Sequence, residues 1–163
     1  TRHWAAMALG AACAVLGATQ LVGVASGGRD AWAPLAHLGG APQNHGLVFS
    51  RIKTVDQLDA ALVANAGKTV MLDFYADWCV SCKEMERFTF SDARVAERMG
   101  RMLLLKADVT ANNDEHKALL KRFGLFGPPG IIFFDAAGKE RAGLRVVGFM
   151  KAEPFATVLD RAL

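Results

Sequence analysis

The sequence predicts an α/β fold, a mixed β-sheet flanked by helices and preceded by one long apolar helix. Three observations point there. Short apolar runs at residues 70–76 and 131–134 have the length and composition of buried strands. Segments with helical spacing lie between such runs. Residues 4–25 stand apart, because they contain no Lys, Arg, Asp or Glu.

As a helix, residues 4–25 would be about 33 Å long, which matches a bilayer core. Arg2 and Arg29 flank the segment. We expect a transmembrane helix over residues 1–26. Two other readings stand. One is a secretory signal peptide cleaved near Ala25-Ser26-Gly27; the other is a helix of a soluble core. The length of the run and a start at Thr1 rather than Met favour the first reading, and suggest a piece of a larger protein. Ala6, Gly10, Ala14 and Ala18 form a small-residue stripe suited to close packing in lipid. A stretch so rich in Ala yields such a stripe by chance equally well. Cys13 reads as a small apolar filler. Asp30 offsets Arg29, so flanking charge orients the helix only weakly.

Residues 27–46 are rich in Gly, Ala and Pro and read as a linker. A globular domain over residues 47–163 follows. Leu47-Val48-Phe49 begins a short strand. Thr54 and Gln57 have the capping-box pattern, and Val55, Leu58, Ala61 and Leu62 line one helical face. Gly67 is a plausible stop. A strand over residues 70–76 leads into a helix that continues from Glu84 to Phe90. Ser91 and Asp92 start a further helical piece with Val95 and Met99 inward. A strand from Met102 runs toward Val109. Asn112 caps a helix through Phe123, with Leu119 and Leu120 inward. Residues 131–134 and 145–147 are two more strands, joined by a turn at Ala136-Ala137-Gly138. Residues 152–162 close as a helix, with Phe155, Val158 and Leu159 on its apolar face. The Met and Phe residues fall at core phase and read as packing rather than a cofactor box.

The formal net charge is only +3, with no long basic run, which argues against a nucleic-acid partner. There is no glycine-rich phosphate loop, no dinucleotide fingerprint and no internal repeat.

The most informative stretch is Trp78-Cys79-Val80-Ser81-Cys82-Lys83. Two cysteines three apart on the first turn of a helix share one face. That spacing suits a disulfide that opens and closes. A helix start carries partial positive charge and free N–H groups, which favour a thiolate. Cys79 is thus the candidate nucleophile, left at the protein's edge by Trp78, and Cys82 is the shielded resolving thiol. A zinc half-site is the first rival. Cys13 lies in a different segment, and His3, His37, His45 and His116 have no finger-like spacing from the pair, so no metal is expected. An inert structural disulfide is the second rival, and so short a loop constrains the unfolded chain little.

Asp73 interrupts an apolar strand. A carboxylate there should be desolvated, with a raised pKa, and able to accept the Cys82 proton. The alternative is a solvated Asp at a strand edge. Glu86 lies four residues after Cys82 on one helical stripe. It either adds negative potential beside the dithiol or is a solvated Glu pairing with Lys83 or Arg87. With both carboxylates close, Cys79 would be less acidic than in a typical dithiol oxidant. Pro128 and Pro129 precede a strand, and two prolines cannot join a central ladder. They either form a turn with one cis bond, exposing backbone to an extended substrate, or act as a trans spacer.

Together these pieces resemble the thioredoxin superfamily: Asp73 six before Cys79, the Trp78-Cys79-x-x-Cys82-Lys83 motif, and Pro129 before a strand. Residues 75–83, 88–92, 108–112 and 147–150 resemble one branch more closely, the C-terminal domain of the DsbD thiol:disulfide interchange proteins. The resemblance covers about residues 47–163. It implies a thioredoxin-like fold, Cys79 as attacking thiol and Cys82 as its partner. Asp73 matches the buried acid, Glu86 an acidic active-site position, and Pro129 the cis-proline. The chain departs at Pro128-Pro129-Gly130, where an aliphatic residue, Pro and Thr are more usual. The implied function is a membrane-tethered protein-disulfide reductase with no cofactor beyond the Cys79–Cys82 disulfide. Electrons would pass from cytoplasmic thioredoxin through a bacterial inner-membrane domain to this periplasmic domain. They would then reach the protein's own N-terminal domain, periplasmic isomerases and cytochrome c maturation proteins. A tethered oxidase or isomerase, or a non-catalytic metal-binding module, is the alternative.

Overall fold

The computed structural model describes residues 2–25 and 46–163. Helix α1 spans Arg2–Ala25. Its residues from His3 to Val22 are long and apolar enough to cross a membrane, and none of that window is buried in protein. Length and composition alone support that reading, and a signal sequence would meet the same criterion. The expected linker lies outside the described residues, apart from Gly46. The second unit is described by itself below.

A five-stranded sheet forms that unit, in the order β1-β3-β2-β4-β5. The strands are β1 Phe49–Ile52, β2 Val70–Tyr75, β3 Leu103–Asp108, β4 Gly130–Phe134 and β5 Val146–Val147. β1 and β2 both run parallel to β3, while β4 is antiparallel to β2 and β5 to β4. The mixed sheet expected from the sequence is therefore present.

Strand alternation sorts the core into two layers. Val70, Leu72 and Phe74 pack with Leu58 and Leu62 of α2 (Val55–Ala64) and with Leu119 and Leu120 of α5 (Asp114–Arg122). Met71 faces the other way. It packs with Val95 and Met99 of α4 (Ala93–Met99) and with Phe155 and Leu159 of α6 (Ala152–Ala162). Helices thus cover both faces. The loop after β2, the central strand, emerges where the chain passes from one layer to the other. Open α/β sheets place their sites at such carboxyl ends.

Local signals act largely as expected. Thr54 Oγ1 accepts from the Gln57 backbone N–H, and Asp92 caps α4. Gln57 Oε1 accepts from Lys53 N rather than from the N-cap residue itself. Three readings need correction. β1 starts at Phe49, not Leu47. The cap of α5 is Asn113, whose Oδ1 accepts from His116 N, while Asn112 takes a positive φ of 48°. The redox helix α3 is α-helical only over Val80–Glu84 and widens into a π-helical turn over Met85–Phe90.

Candidate active site

β2 delivers the chain to the sheet's carboxyl edge, and residues 76–79 turn it into α3. Cys79 is the N-cap, and its Sγ accepts from Cys82 N at 3.1 Å. The two sulfurs are bonded, with Cα atoms 5.3 Å apart. The Cys82 sulfur lies 3.9 Å from the Phe74 carbonyl, against the end of β2.

The expected difference in exposure is absent. Cys79 is 5% exposed and Cys82 4%. Both cysteines belong to the buried layer that holds Phe74 and Ala76, and the Cys79 sulfur accepts the Cys82 N–H at the helix start. Trp78 instead forms the surface here, at 59% exposed. Its Nε1 donates to Thr110 O at 3.2 Å, and Thr110 Oγ1 accepts from Asp77 N at 2.9 Å. Thr110 Oγ1 in turn donates to Asp108 Oδ1 at 2.5 Å. The loop after β3 therefore holds the redox loop from the side.

Asp73 is buried, as expected. Burial pushes its carboxyl up to about 7; Lys106 opposes that rise and Glu86 adds to it. Lys106 is the residue that sequence reasoning missed. It pairs in register with Asp73 across the β2–β3 ladder. Its Nζ lies 3.8 Å from Asp73 Oδ2 and 2.6 Å from Glu86 Oε1. The ammonium also sits over the rings of Phe49 and Tyr75, at 4.7 and 4.8 Å from their centroids. A signal was present: Lys106 is a lone cation in the otherwise apolar stretch from Met102 to Ala107. Glu86 is thus no solvated surface residue paired with Lys83 or Arg87; it joins Asp73 through a shared, half-buried cation. Burial pushes the Tyr75 phenol up to about 12, with Glu86, Asp77 and Asp108 adding to the rise.

The Pro128–Pro129 peptide bond is cis, so Pro129 takes the cis form. The Pro129 carbonyl accepts from Gly148 N at 3.1 Å. The unusual Gly130 also has a local reason. A Cβ there would lie 2.6 Å from Leu125 Cδ1, so Leu125 fills the space a larger residue would use. Apolar side chains stand exposed on the segments around the motif, namely Trp78, Val80, Phe126 and Phe149. Among the described residues no group of three or more His, Cys, Asp or Glu could hold a metal ion.

Comparison with known proteins agrees with this geometry. The model of the thioredoxin-like domain family matches residues 57–163. The thiol:disulfide interchange protein DsbD of Ralstonia nicotianae is 56% identical over 162 residues, covering 95% of this chain and 26% of that protein. DsbD of Escherichia coli is 53% identical over 117 residues, covering 72% of this chain and 20% of that protein. The chain therefore spans about a quarter of the length of the curated relatives it matches. The crystal structure of the oxidised DsbD C-terminal domain of Neisseria meningitidis superposes with a TM-score of 0.56 at 42% identity. That match covers 66% of this chain and 91% of the other. A buried acid beneath a Cys-x-x-Cys helix start, a cis-proline loop beside it and these matches identify the chain as a member of the thioredoxin-like domain family, in the branch of the DsbD C-terminal domain.

Proposed function

We propose that this domain is a thiol–disulfide oxidoreductase that relays two electrons from a membrane-embedded domain to a periplasmic protein disulfide. The observation that carries the reading is the Cys79–Cys82 disulfide at a helix start, directly after the strand that buries Asp73.

In the reduced state the Cys82 N–H remains available to a Cys79 thiolate, as it is to the sulfur here. That thiolate attacks one sulfur of the partner disulfide. A mixed disulfide forms and the partner's other sulfur leaves as a thiolate, which takes up a proton. Cys82 then loses its proton and attacks the Cys79 sulfur. The internal disulfide closes, the partner's second thiolate leaves, and the dithiol has given up two electrons. Asp73, ionising near neutrality, is the acceptor for the Cys82 proton. Glu86 and Lys106 tune that acid: Lys106 offsets one of the two carboxylate charges near the helix start. Trp78 frames the opening, and the Pro128–Pro129 loop pairs with an extended partner segment.

Helix α1, within residues 1–26, crosses the bacterial inner membrane as the end of a membrane domain. Its 24 residues would span about 36 Å. Residues 27–46 link it to the redox domain, residues 47–163, on the periplasmic side. The upstream reductant is the membrane domain, supplied by cytoplasmic thioredoxin. The acceptor is the N-terminal domain of the same protein, and through it periplasmic isomerases and cytochrome c maturation proteins.

Trapping tests this scheme. Cys82→Ala in the membrane-bound protein should accumulate Cys79 mixed disulfides with a membrane-domain cysteine and with a periplasmic acceptor. Capture of unrelated cytosolic proteins alone would overturn it.

A further inference from the structure

The π-helical turn after α3 holds the segment after β5 by both of its backbone edges. Met150 N donates to Met85 Sδ at 3.2 Å, and Thr89 Oγ1 donates to Met150 O at 2.5 Å. Met85 and Thr89 are both fully buried, four residues apart on that turn. Two residues earlier, Gly148 N donates to the carbonyl of cis-Pro129. Gly148 has φ 87° with open space around its Cβ direction, so the bend there is a backbone requirement rather than a packing one. Phe149 lies between these two anchors and is exposed. A buried threonine whose hydroxyl serves a carbonyl 61 positions away ties two distant segments together.

We propose that Thr89 and Met85 are positioning residues that fix Gly148, Phe149 and Met150 against the Pro129 loop, so that the redox helix sets the shape of the peptide-docking groove. The ligand class is an extended polypeptide segment bearing a disulfide. Its backbone lies along the Pro129 loop and its side chains meet Phe149. The inference rests on the dithiol-exchange reading above. It adds that docking, rather than thiol chemistry, depends on the clamp. Two of the stretches that mark the DsbD branch, residues 88–92 and 147–150, meet in this one contact.

The test uses the full chain in mild detergent, with insulin as the disulfide probe and dithiothreitol as reductant. Thr89→Val keeps the side-chain shape and removes the donor. It should raise the KM for insulin about five- to tenfold, the usual effect of losing one hydrogen bond, with a much smaller change in kcat. Thr89→Ser should restore the KM. Met85→Leu, which preserves volume and removes the sulfur acceptor, should show the same split, and should speed amide exchange at Met150 while leaving β2 protected. If Thr89→Val fails to fold, Met85→Leu carries the same test. An unchanged KM in a folded variant, or equal loss of kcat and KM effects with no rescue by Ser, overturns the clamp alone. Failure of the unaltered chain to reduce insulin overturns the dithiol reading, and the clamp with it.

Discussion

Replacing Asp73 by Asn should flatten the pH dependence of stability. In the folded chain Asp73 ionises at about 7, against 3.8 for an unperturbed group. Between these values the folded state keeps a proton that the unfolded state has already released. Stability therefore falls as pH rises through this window, and the loss is complete above about pH 7. The interval converts to about 4 kcal/mol. The carboxylates with the opposite shift, Asp59 and Asp108 among them, lose their contribution only as pH falls below 3.8, so the window above it belongs to Asp73. Lys106 keeps its 2.6 Å contact with Glu86 in the variant, so no buried cation is orphaned. Urea unfolding of the oxidised chain in mild detergent, followed by near-ultraviolet circular dichroism, measures the effect. The unaltered protein should be about 2–3 kcal/mol less stable at about pH 8 than at about pH 5. Asp73→Asn should show little change, and should be the more stable of the two at the higher pH by about 2–4 kcal/mol. A flat profile in the unaltered protein, or the same decline in the variant, would refute the reasoning.

Other expectations follow from the same site. Lys106→Met removes the cation that holds Asp73 down, so the Asp73 carboxyl should titrate higher than about 7, read by carboxyl carbon shifts in NMR. With two carboxylates near the helix start and one cation between them, the Cys79 thiol of the reduced protein should not titrate well below neutral pH; thiolate absorbance measures this, and a strongly acidic thiol would contradict it. Gly130→Thr should cost about 1–2 kcal/mol by crowding Leu125, and most of that cost should vanish in the presence of Leu125→Ala, as a double-mutant cycle would show. Thr110→Val removes the acceptor for Asp77 N–H, so the Trp78 loop should loosen. Trp78 fluorescence anisotropy, read with Trp4 and Trp32 replaced by Phe, should fall, while thermal stability changes by about 1 kcal/mol or less.

Where periodicity or chemistry was strong, the sequence was readable. The run from Val70 to Tyr75 has no competing interpretation, and its one polar member, Asp73, stood out because charge in an apolar strand needs a reason. The dithiol was legible from the spacing together with the strand before it and the lack of finger-like ligand spacing elsewhere. Less was visible where pairing decides. The bounds of β1, expected to begin at Leu47, are hard to read because Ser50 and Arg51 are polar. As an edge strand bonded only to β3, it can leave both exposed. Two adjacent asparagines each suit a cap, and only the backbone shows that Asn112 takes the left-handed turn and Asn113 the cap. The π-helical turn leaves no mark in residue type, since Met85, Glu86 and Phe90 suit an α-helix equally well. The burial of Cys79 is not legible in the sequence because it depends on how the helix start packs with Phe74 and Ala76, which spacing does not convey. Lys106 was overlooked because its meaning lies in the register that sets it opposite Asp73.

The sheet ends in a strand of only two residues, Val146 and Val147, paired to Ile131 and Gly130. So short a margin offers too few free amides to nucleate stacking of one copy of the chain on another, even though Val147 is exposed. It therefore limits fibril-like association along that edge, although apolar side chains such as Phe126 and Phe149 stand exposed on the same unit.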